Sequence, residues 1–403
     1  MRARMCSDHE SQYPVPEENT LKVLILNEGL EQQGHTEKRC AVSPSSVKRM
    51  VKRGMTVVMQ QGAGVLSGYA DTEFTEAGAM VDEDAGAALE ETDALLCVNR
   101  PVEAVYARLK PSALVIGHID PFFQQELVES LAAKKLTTLS VEMIPRSSRA
   151  QKMDALSSQA SLAGYVMVMQ AATHLPGILP MMMTPSGTIK PAKVYIIGAG
   201  VAGLQAIATA KRLGANVLAY DTRPVVAEQV ESLGGKFLKI DLGETGQTKD
   251  GYAKELTEEQ KQKQQDAQRD AIADSDIVIT TAQLFGRRPP QLISKDTLAL
   301  MRPGSVVVDM AATSGGNVEG SEPGKVVTVN GVTVIGTGNW SQAVAKDATD
   351  MYANNVYNLL DEFFDDESKQ FNLNLEDEIL AGCVITHDGQ ITNDMLKNAY
   401  QGA

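Results

Sequence analysis

Basic charge is scarce in this 403-residue sequence. Lys and Arg number 37 against 51 Asp and Glu, a net charge of −14. A nucleic-acid footprint needs clustered Lys and Arg in excess to neutralise phosphates, so no nucleic-acid partner is expected. Cysteines are few: Cys6, Cys40, Cys97 and Cys383 stand far apart, with no C-x-x-C pair. That excludes a zinc ribbon or a disulfide framework and fits a reducing, cytosolic compartment. The five histidines, His9, His35, His118, His174 and His387, are equally scattered, and no two have the i, i+4 spacing that lets one helix face hold a metal. No metal site is expected. The first twenty residues lack the apolar core of a signal peptide and read as a disordered lead.

A long apolar run is also missing. No Lys or Arg occurs between Lys152 and Lys190, yet Asp154, Ser157, Ser158, Gln159, Gln170 and His174 interrupt the stretch, and Pro176 and Pro180 cut it. A membrane span needs ~20 mostly apolar residues with every backbone polar group satisfied. The stretch reads instead as a long buried helix crossing between domains.

What is present is ordinary globular composition, 43% hydrophobic and 22% charged. The length exceeds the roughly 250–300 residues at which one core stops growing, so two domains are expected. From Leu21, short apolar runs alternate with helical stretches: LKVLILN, SSVKRMVKRG, MTVVMQ, ALLCV, SALVIGH, ELVESLAAKK, LTTLSVE. Strands alternating with helices predict parallel sheets with covered faces. A second series starts at AKVYIIGAG and runs through GKFLKI, DIVITT, SVVVDM and VTVIG, followed by a helical pattern after Trp340 and a last strand and turn at CVITHDGQI. The expected fold is α/β: two Rossmann-like parallel-sheet domains, the second nested within the first and joined by long interdomain helices. The expected boundaries are a lead over 1–20, a first domain of 21–150 plus 345–403, and a nucleotide domain of 151–344.

The segment Gly243 to Asp270 breaks the pattern, because a βα loop is normally ~2–6 residues. Its large apolar residues are almost confined to Tyr252 and Leu256. It reads either as a solvated insertion with a charged helix or as a lid whose aromatic covers a ligand.

Gly198, Gly200 and Gly203 follow the strand Val194–Ile197 directly and open the helical stretch LQAIATAKRLG. The first glycine makes the tight turn, the second admits a pyrophosphate, and the third allows close helix–strand packing. Asp221 ends the next strand, 23 positions after Gly198. A carboxylate there accepts from the ribose 2′-hydroxyl of NAD and repels the 2′-phosphate of NADP. At ~4 Å and an effective dielectric of about 20, each unit of like charge costs about 4 kcal/mol, around three orders of magnitude in affinity. NAD is therefore expected, with Arg223 softening the preference. Gly62, Gly64 and Gly68, and likewise Gly336 and Gly338, lack the full spacing and read as turns.

An NAD enzyme acting on an alcohol or amine needs a proton acceptor. His118, at the end of VIGHIDP, is the one histidine at a predicted strand terminus, and a lone histidine is more often structural. The densest polar constellation is RSSRAQKMDALSSQ. Arg146 and Arg149 precede Gln151, Asp154 and Ser157, whose spacing of three predicts one helix face, at the point where a helix enters the interdomain cleft. Ordinary capping is the plain alternative.

These residues carry a resemblance. EKRCAVSP at 37–44, the Arg146–Gln159 segment, IIGAGVAGLQAIATAKRLGANVLAYDTRP, DGYAKELTEEQKQKQ and VVVDMAATSGGN together resemble the alanine dehydrogenase and pyridine nucleotide transhydrogenase family over nearly the whole chain from Leu21. Within it, RAQ-x-MD-x-LSSQ and the GYAKE loop look like the NAD(H)-binding component of proton-translocating transhydrogenase. The resemblance implies NAD(H) bound here, NADP(H) as co-substrate on a partner chain, transmembrane partner subunits and a homodimer. It also implies a peripheral position on the cytoplasmic face of the inner membrane, or the matrix-side equivalent. It implies that Arg146, Ser147, Ser148, Gln151, Asp154 and Ser157 hold the nicotinamide and its ribose, that Gln151 reaches toward the second nucleotide, and that Tyr252 closes over the site. Further cofactor contacts implied are Val201, Asp221, Thr222, Arg223, Gly251, Gln264 and Gln283. Thr313 stands where transhydrogenases tend to carry Glu, and Thr337 where a histidine is common. The alanine dehydrogenase branch is the alternative. Those enzymes resemble this chain at Arg39, which binds the substrate carboxylate, and His118 corresponds to their catalytic histidine in a poorly matched segment. Asn99 replaces their lysine, and Thr313 their aspartate. An NAD-sensing module without chemistry is a more distant possibility.

Overall fold

The computed structural model of the chain describes residues 20–30, 36–83, 85–240 and 257–402. The expected lead, apart from Thr20, and the stretch 241–256 with Gly251 and Tyr252 lie outside them. The chain forms two compact units, one running to Asp154 and resuming at Tyr352, the other spanning Ala155–Met351. The second boundary falls inside the helix Ala345–Glu362.

In the discontinuous unit, six parallel strands run in the order Met80–Asp82, Thr56–Gln60, Lys22–Ile25, Ala94–Leu96, Leu114–Gly117, Thr137–Ser140. The antiparallel hairpin Val384–His387 and Gln390–Ile391, formed by the CVITHDGQI tail, extends the last of these. Ala94–Leu96, Leu114–Gly117 and Thr137–Ser140 are buried at every position. A parallel sheet covered on both faces asks for unbroken apolar runs of this kind rather than alternation.

The continuous unit has its own sheet. Lys236–Phe237, Asn216–Tyr220, Lys193–Ile197, Ile277–Thr280, Val306–Asp309 and Val332–Ile335 are parallel, and Val326–Val329 is added antiparallel at the edge. Strands are laid down outward from Lys193–Ile197, first to one side and then to the other. The chain order therefore reverses between Lys193–Ile197 and Ile277–Thr280, which opens a crevice at their carboxyl ends. The sheet of the first unit has the same kind of reversal between Lys22–Ile25 and Ala94–Leu96. The α/β class with two Rossmann-like parallel sheets is thus the observed one.

The charge-poor stretch after Lys152 folds into the 20-residue helix Ala155–His174, followed by an antiparallel strand pair, Met182–Thr184 with Gly187–Ile189, that joins neither main sheet. Among the described residues no helix is long and apolar enough to cross a membrane. Ala163, Val166, Met167 and Ala171 of the long helix share a core with Ala202, Ala206 and Ala210 of the helix Val201–Arg212. Small residues let the two helices approach until the backbone itself is in contact. A Cβ built on Gly164 would lie 2.2 Å from the Ala202 carbonyl oxygen and 3.0 Å from the Gln205 Cβ.

Gly164→Ala must therefore push the two helices apart. Overpacking of a tight core contact costs about 1–3 kcal/mol, more than the helix propensity gained by replacing glycine. A chemical denaturation titration is expected to show a lower midpoint at unchanged slope; an unshifted midpoint would mean that the helices separate freely.

Candidate dinucleotide site

The strand Lys193–Ile197 ends in Gly198, whose φ of +101° lies in the left-handed region that favours glycine. A Cβ there would also meet the Thr281 Oγ1 at 2.4 Å. Gly203 faces Gly198 so closely that a Cβ would fall 1.9 Å from the Gly198 carbonyl oxygen. Gly200 differs from both. A Cβ on it would meet nothing within 4 Å, and its φ of −78° suits any residue. Two of the three glycines are thus required by the protein itself, and the third leaves space beside the backbone. Gly200 is also the N-cap of the helix Val201–Arg212, without a side-chain cap and without an acidic residue in the first turn. The first N–H groups of a helix are unsatisfied from within and carry the positive end of its dipole, so this turn suits an anion such as a pyrophosphate.

Asp221 follows the next strand, Asn216–Tyr220. Its Oδ2 accepts from the Ala199 N–H at 2.8 Å, which ties it to the glycine turn. Its Oδ1 accepts from the Arg223 N–H at 2.8 Å and from Arg223 Nε at 3.0 Å, and Arg223 Nη2 donates to Oδ2 at 3.0 Å. Burial pushes the Asp221 carboxyl up, but the Arg223 guanidinium and the two N–H groups outweigh it and hold it below its ordinary range. The charge that distinguishes a 2′-hydroxyl from a 2′-phosphate is therefore present and half neutralised by Arg223, whose side chain is 59% exposed.

Around the turn, Val201, Thr222 and Gln283 are exposed. Thr281 follows the strand Ile277–Thr280, and its Oγ1 lies 3.1 Å from the Gly198 carbonyl and 3.2 Å from that of Ile197. Sequence reasoning overlooked Thr281, although its place just after the apolar run DIVIT marked it. Gln264 sits on the helix Glu258–Ala273 and donates to the Tyr220 hydroxyl at 2.6 Å. That helix starts with the capping pair Thr257 and Gln260 and is largely exposed, as a charged helix in an insertion should be. Gly251 and Tyr252 fall outside the described residues.

The polar segment at 146–157 departs from its expected geometry. Ala150–Met153 is a single 3₁₀ turn, Asp154 has ψ 86°, and the α-helix begins at Ala155. Gln151, Asp154 and Ser157 therefore do not share a face of one helix, because the backbone changes direction at Asp154. In the discontinuous unit this segment is held by ion pairs. Arg149 pairs with Glu362 at 3.0 Å and with Asp377, Lys152 pairs with Glu362 at 2.6 Å, and Asn355 and Asn358 each donate to the Lys152 carbonyl at 3.0 Å. Ser147 Oγ donates to Glu378 at 3.1 Å. Arg146, Ser148 and Gln151 are exposed, while Asp154 and Ser157 are half-buried.

At the strand reversal of the first unit the protein supplies its own carboxylates. Glu28 accepts from the N–H groups of Val98 and Asn99 at 2.6 and 2.8 Å, and burial pushes its carboxyl up to about 7. Arg39 Nε and Nη2 donate to the two oxygens of Glu37, each at 2.8 Å, and Asn99 donates to Glu37 at 2.8 Å. His118 Nδ1 is 2.8 Å from the Val98 carbonyl and its ring stacks on Tyr352 at 5.2 Å; burial pushes its pKa down. The guanidinium and imidazole that an amino-acid dehydrogenase turns toward its substrate are thus engaged internally. Glu28 and Glu37, the groups responsible, went unnoticed in the sequence.

Family models for the alanine dehydrogenase/PNT N-terminal domain and C-terminal domain match residues 28–163 and 167–394. The chain belongs to the alanine dehydrogenase/PNT family. It is 44% identical over 374 residues to an NAD(P) transhydrogenase subunit alpha chain of Rhodospirillum rubrum, covering 91% of this chain and 97% of that one. A transhydrogenase crystal structure from Sinorhizobium meliloti superposes with a TM-score of 0.82 at 42% identity, covering 92% and 99% of the two chains. An L-alanine dehydrogenase structure follows at TM-score 0.78 and 26% identity, covering 94% and 99%. This family member is thus more similar in sequence to the transhydrogenase proteins than to that dehydrogenase. The two departures from the transhydrogenase pattern adjoin one another: a Cβ on Gly338, next to Thr337, would lie 2.4 Å from Thr313 Cγ2.

The unequal roles of the glycines separate two substitutions. Gly200→Ala is expected to keep the unfolding midpoint but to weaken NADH binding tenfold or more, because its methyl enters the space left for phosphate. Gly203→Ala is expected to lower the midpoint outright. Fluorescence titration with NADH alongside thermal unfolding checks both, and equal behaviour of the two variants would contradict the assignment.

Proposed function

We propose that the chain is the NAD(H)-binding component of a proton-translocating transhydrogenase, acting in direct hydride transfer between NAD(H) bound to it and NADP(H) bound to a partner subunit. The observation that carries the reading is the glycine turn with its uncapped helix N-terminus, open space at Gly200 and ionised Asp221 beside it. NAD(H), when bound, supplies the nicotinamide carbon that gives or takes hydride. The N–H groups of the first helical turn hold the pyrophosphate. Asp221 accepts from the ribose 2′-hydroxyl, with Arg223 reducing its repulsion of a 2′-phosphate. Arg146, Ser147, Ser148, Gln151, Asp154 and Ser157 hold the nicotinamide and ribose, Gln151 also meets the second nucleotide, and Tyr252 closes over the site. Val201, Thr222, Gly251, Gln264 and Gln283 complete the cofactor contacts.

Direct transfer between two nicotinamides needs positioning and no side-chain proton acceptor. The chain's own residues suit that requirement: Asn99 stands in place of a lysine, Arg39 is paired with Glu37, and His118 holds a backbone carbonyl. Exclusion of water protects the transfer. The partners are the NADP(H)-binding and transmembrane subunits, so the chain works peripherally on the cytoplasmic face of the inner membrane or its matrix-side equivalent, where transfer is coupled to proton movement. We assign a homodimer as well. The strand pair Met182–Thr184 and Gly187–Ile189 supports it, because Met181, Met182, Met183 and Ile189 are all exposed and an isolated two-stranded ribbon is marginal in water.

Reduction of an NAD analogue by NADPH, measured with and without an NADP-binding partner, tests the reading. Transfer is expected only with the partner, and alanine- or pyruvate-dependent turnover by the chain alone would overturn it. Gln151→Asn is expected to leave NADH affinity nearly intact and to slow transfer; a large loss of affinity at an unchanged rate would remove Gln151 from its role.

A further inference from the structure

The strand Ile277–Thr280 is followed by a loop that leaves the sheet edge at Ala282 and returns at Pro290. Both ends are held by one side chain. Asn317 Nδ2 donates to the Ala282 carbonyl at 3.0 Å and to the Pro290 carbonyl at 2.8 Å, which uses both of its protons. The side chain is fully buried. Its own backbone is fixed in turn: the Asn317 N–H lies 3.1 Å from each oxygen of Asp309, and the Asn317 carbonyl accepts from Leu292 and Ile293 at 2.8 and 3.0 Å. Asp309 is also fully buried and accepts from the N–H groups of Ala311 and Val318 at 3.1 and 3.2 Å. Asn317 Oδ1 is buried with no hydrogen-bond partner among the described residues. An unpaired buried acceptor costs free energy. The residue is kept for its two donors.

The pinned loop is tied to the glycine turn at its start. Thr281 immediately precedes Ala282; its N–H donates to the Ile197 carbonyl at 2.9 Å and its Oγ1 lies 3.1 Å from that of Gly198. Displacement of Ala282 therefore displaces Thr281 and with it the carbonyl that Gly203 abuts. The loop also carries Gln283. We propose that Asn317 is a positioning residue for dinucleotide binding: by clamping Ala282 to Pro290 it fixes the wall of the strand-end crevice, so that it sets NAD(H) affinity without touching the ligand. The proposal rests on the assignment of NAD(H) to the Gly198–Gly203 turn.

The test uses the full chain with NADH as the probe, and Gly200→Ala as a control that has the loop intact. Asn317→Ser is expected to retain the circular dichroism of the parent and to raise the NADH Kd tenfold or more. With the NADP-binding partner supplied, kcat at saturating NADH is expected to stay within about twofold while KM for NADH rises. Amide hydrogen exchange is expected to accelerate over 284–288 and to stay unchanged over 277–280. A folded Asn317→Ser that binds NADH like the parent, while Gly200→Ala does not, overturns the positioning role alone. Equal NADH binding by parent and Gly200→Ala overturns the dinucleotide assignment and the proposal with it. Should Asn317→Ser fail to fold, Asn317→Asp supplies a second measurement. Its carboxylate faces two carbonyls, and protonation restores one donor, so NADH affinity is expected to recover as pH falls. An affinity profile parallel to the parent's would overturn the proposal.

Discussion

The second unit depends on the approach of Gly203 to the Gly198 carbonyl. With only 1.9 Å available to a Cβ, the helix Val201–Arg212 is pressed onto the end of the strand that feeds it. Several consequences follow from that single contact. The first turn of the helix is brought to the sheet edge with its N–H groups directed outward. The intervening Gly200 is left without neighbours. Ala199 turns its N–H toward the next strand's Asp221, 2.8 Å away. About half an elementary charge of positive dipole and one carboxylate then lie side by side, held by backbone and not by flexible side chains. Thr281 closes the remaining side through the same carbonyl.

The first unit has the same strand reversal and treats it differently. There the exposed N–H groups at the strand ends, those of Val98 and Asn99, are satisfied by Glu28. A carboxylate from the chain occupies the position that an anionic ligand would need. Glu37 does the same to Arg39. One crevice is thus left open to a ligand and the other is filled from within, although the two sheets follow one topology. The contrast also appears in the two carboxyl groups. Asp221 is held ionised by a cation and two N–H groups, whereas burial prevails at Glu28 and pushes it up to about 7. The first is suited to recognise a neutral hydroxyl, and the second to seal a loop.

This difference explains what was legible in the sequence. The glycine turn and Asp221 were readable because their geometry is local: three glycines and a carboxylate separated by one helix. The strand runs were readable because a doubly covered sheet demands unbroken apolar stretches. Glu28 was not, because its partners stand 70 and 71 positions away, and Asn317 was not, because its two carbonyl partners stand 35 and 27 positions away. No spacing rule links such residues before the sheet is assembled. The Arg146–Ser157 segment failed for another reason. Its period of three suits a helix, but the backbone turn at Asp154 overrides that period, and the ion pairs of Arg149 and Lys152 with residues more than 200 positions on are what hold it.

Those ion pairs have a bearing on the proposed chemistry. Hydride transfer between two bound nicotinamides requires near-attack separations of about 3–3.5 Å, so one nucleotide and the protein that carries it must approach the other closely. A residue that guides such an approach has to be exposed and yet fixed, two properties that oppose one another in a long polar side chain. The segment reconciles them by dividing the work. Arg149 and Lys152 are spent on Glu362 and Asp377, and the asparagines at 355 and 358 grip the Lys152 carbonyl. Gln151, between the two anchors, is left exposed on a backbone that cannot drift far. A general base would gain little from this arrangement, since proton transfer depends on a matched pKa as much as on position. A reaction whose main demand is position gains from it directly.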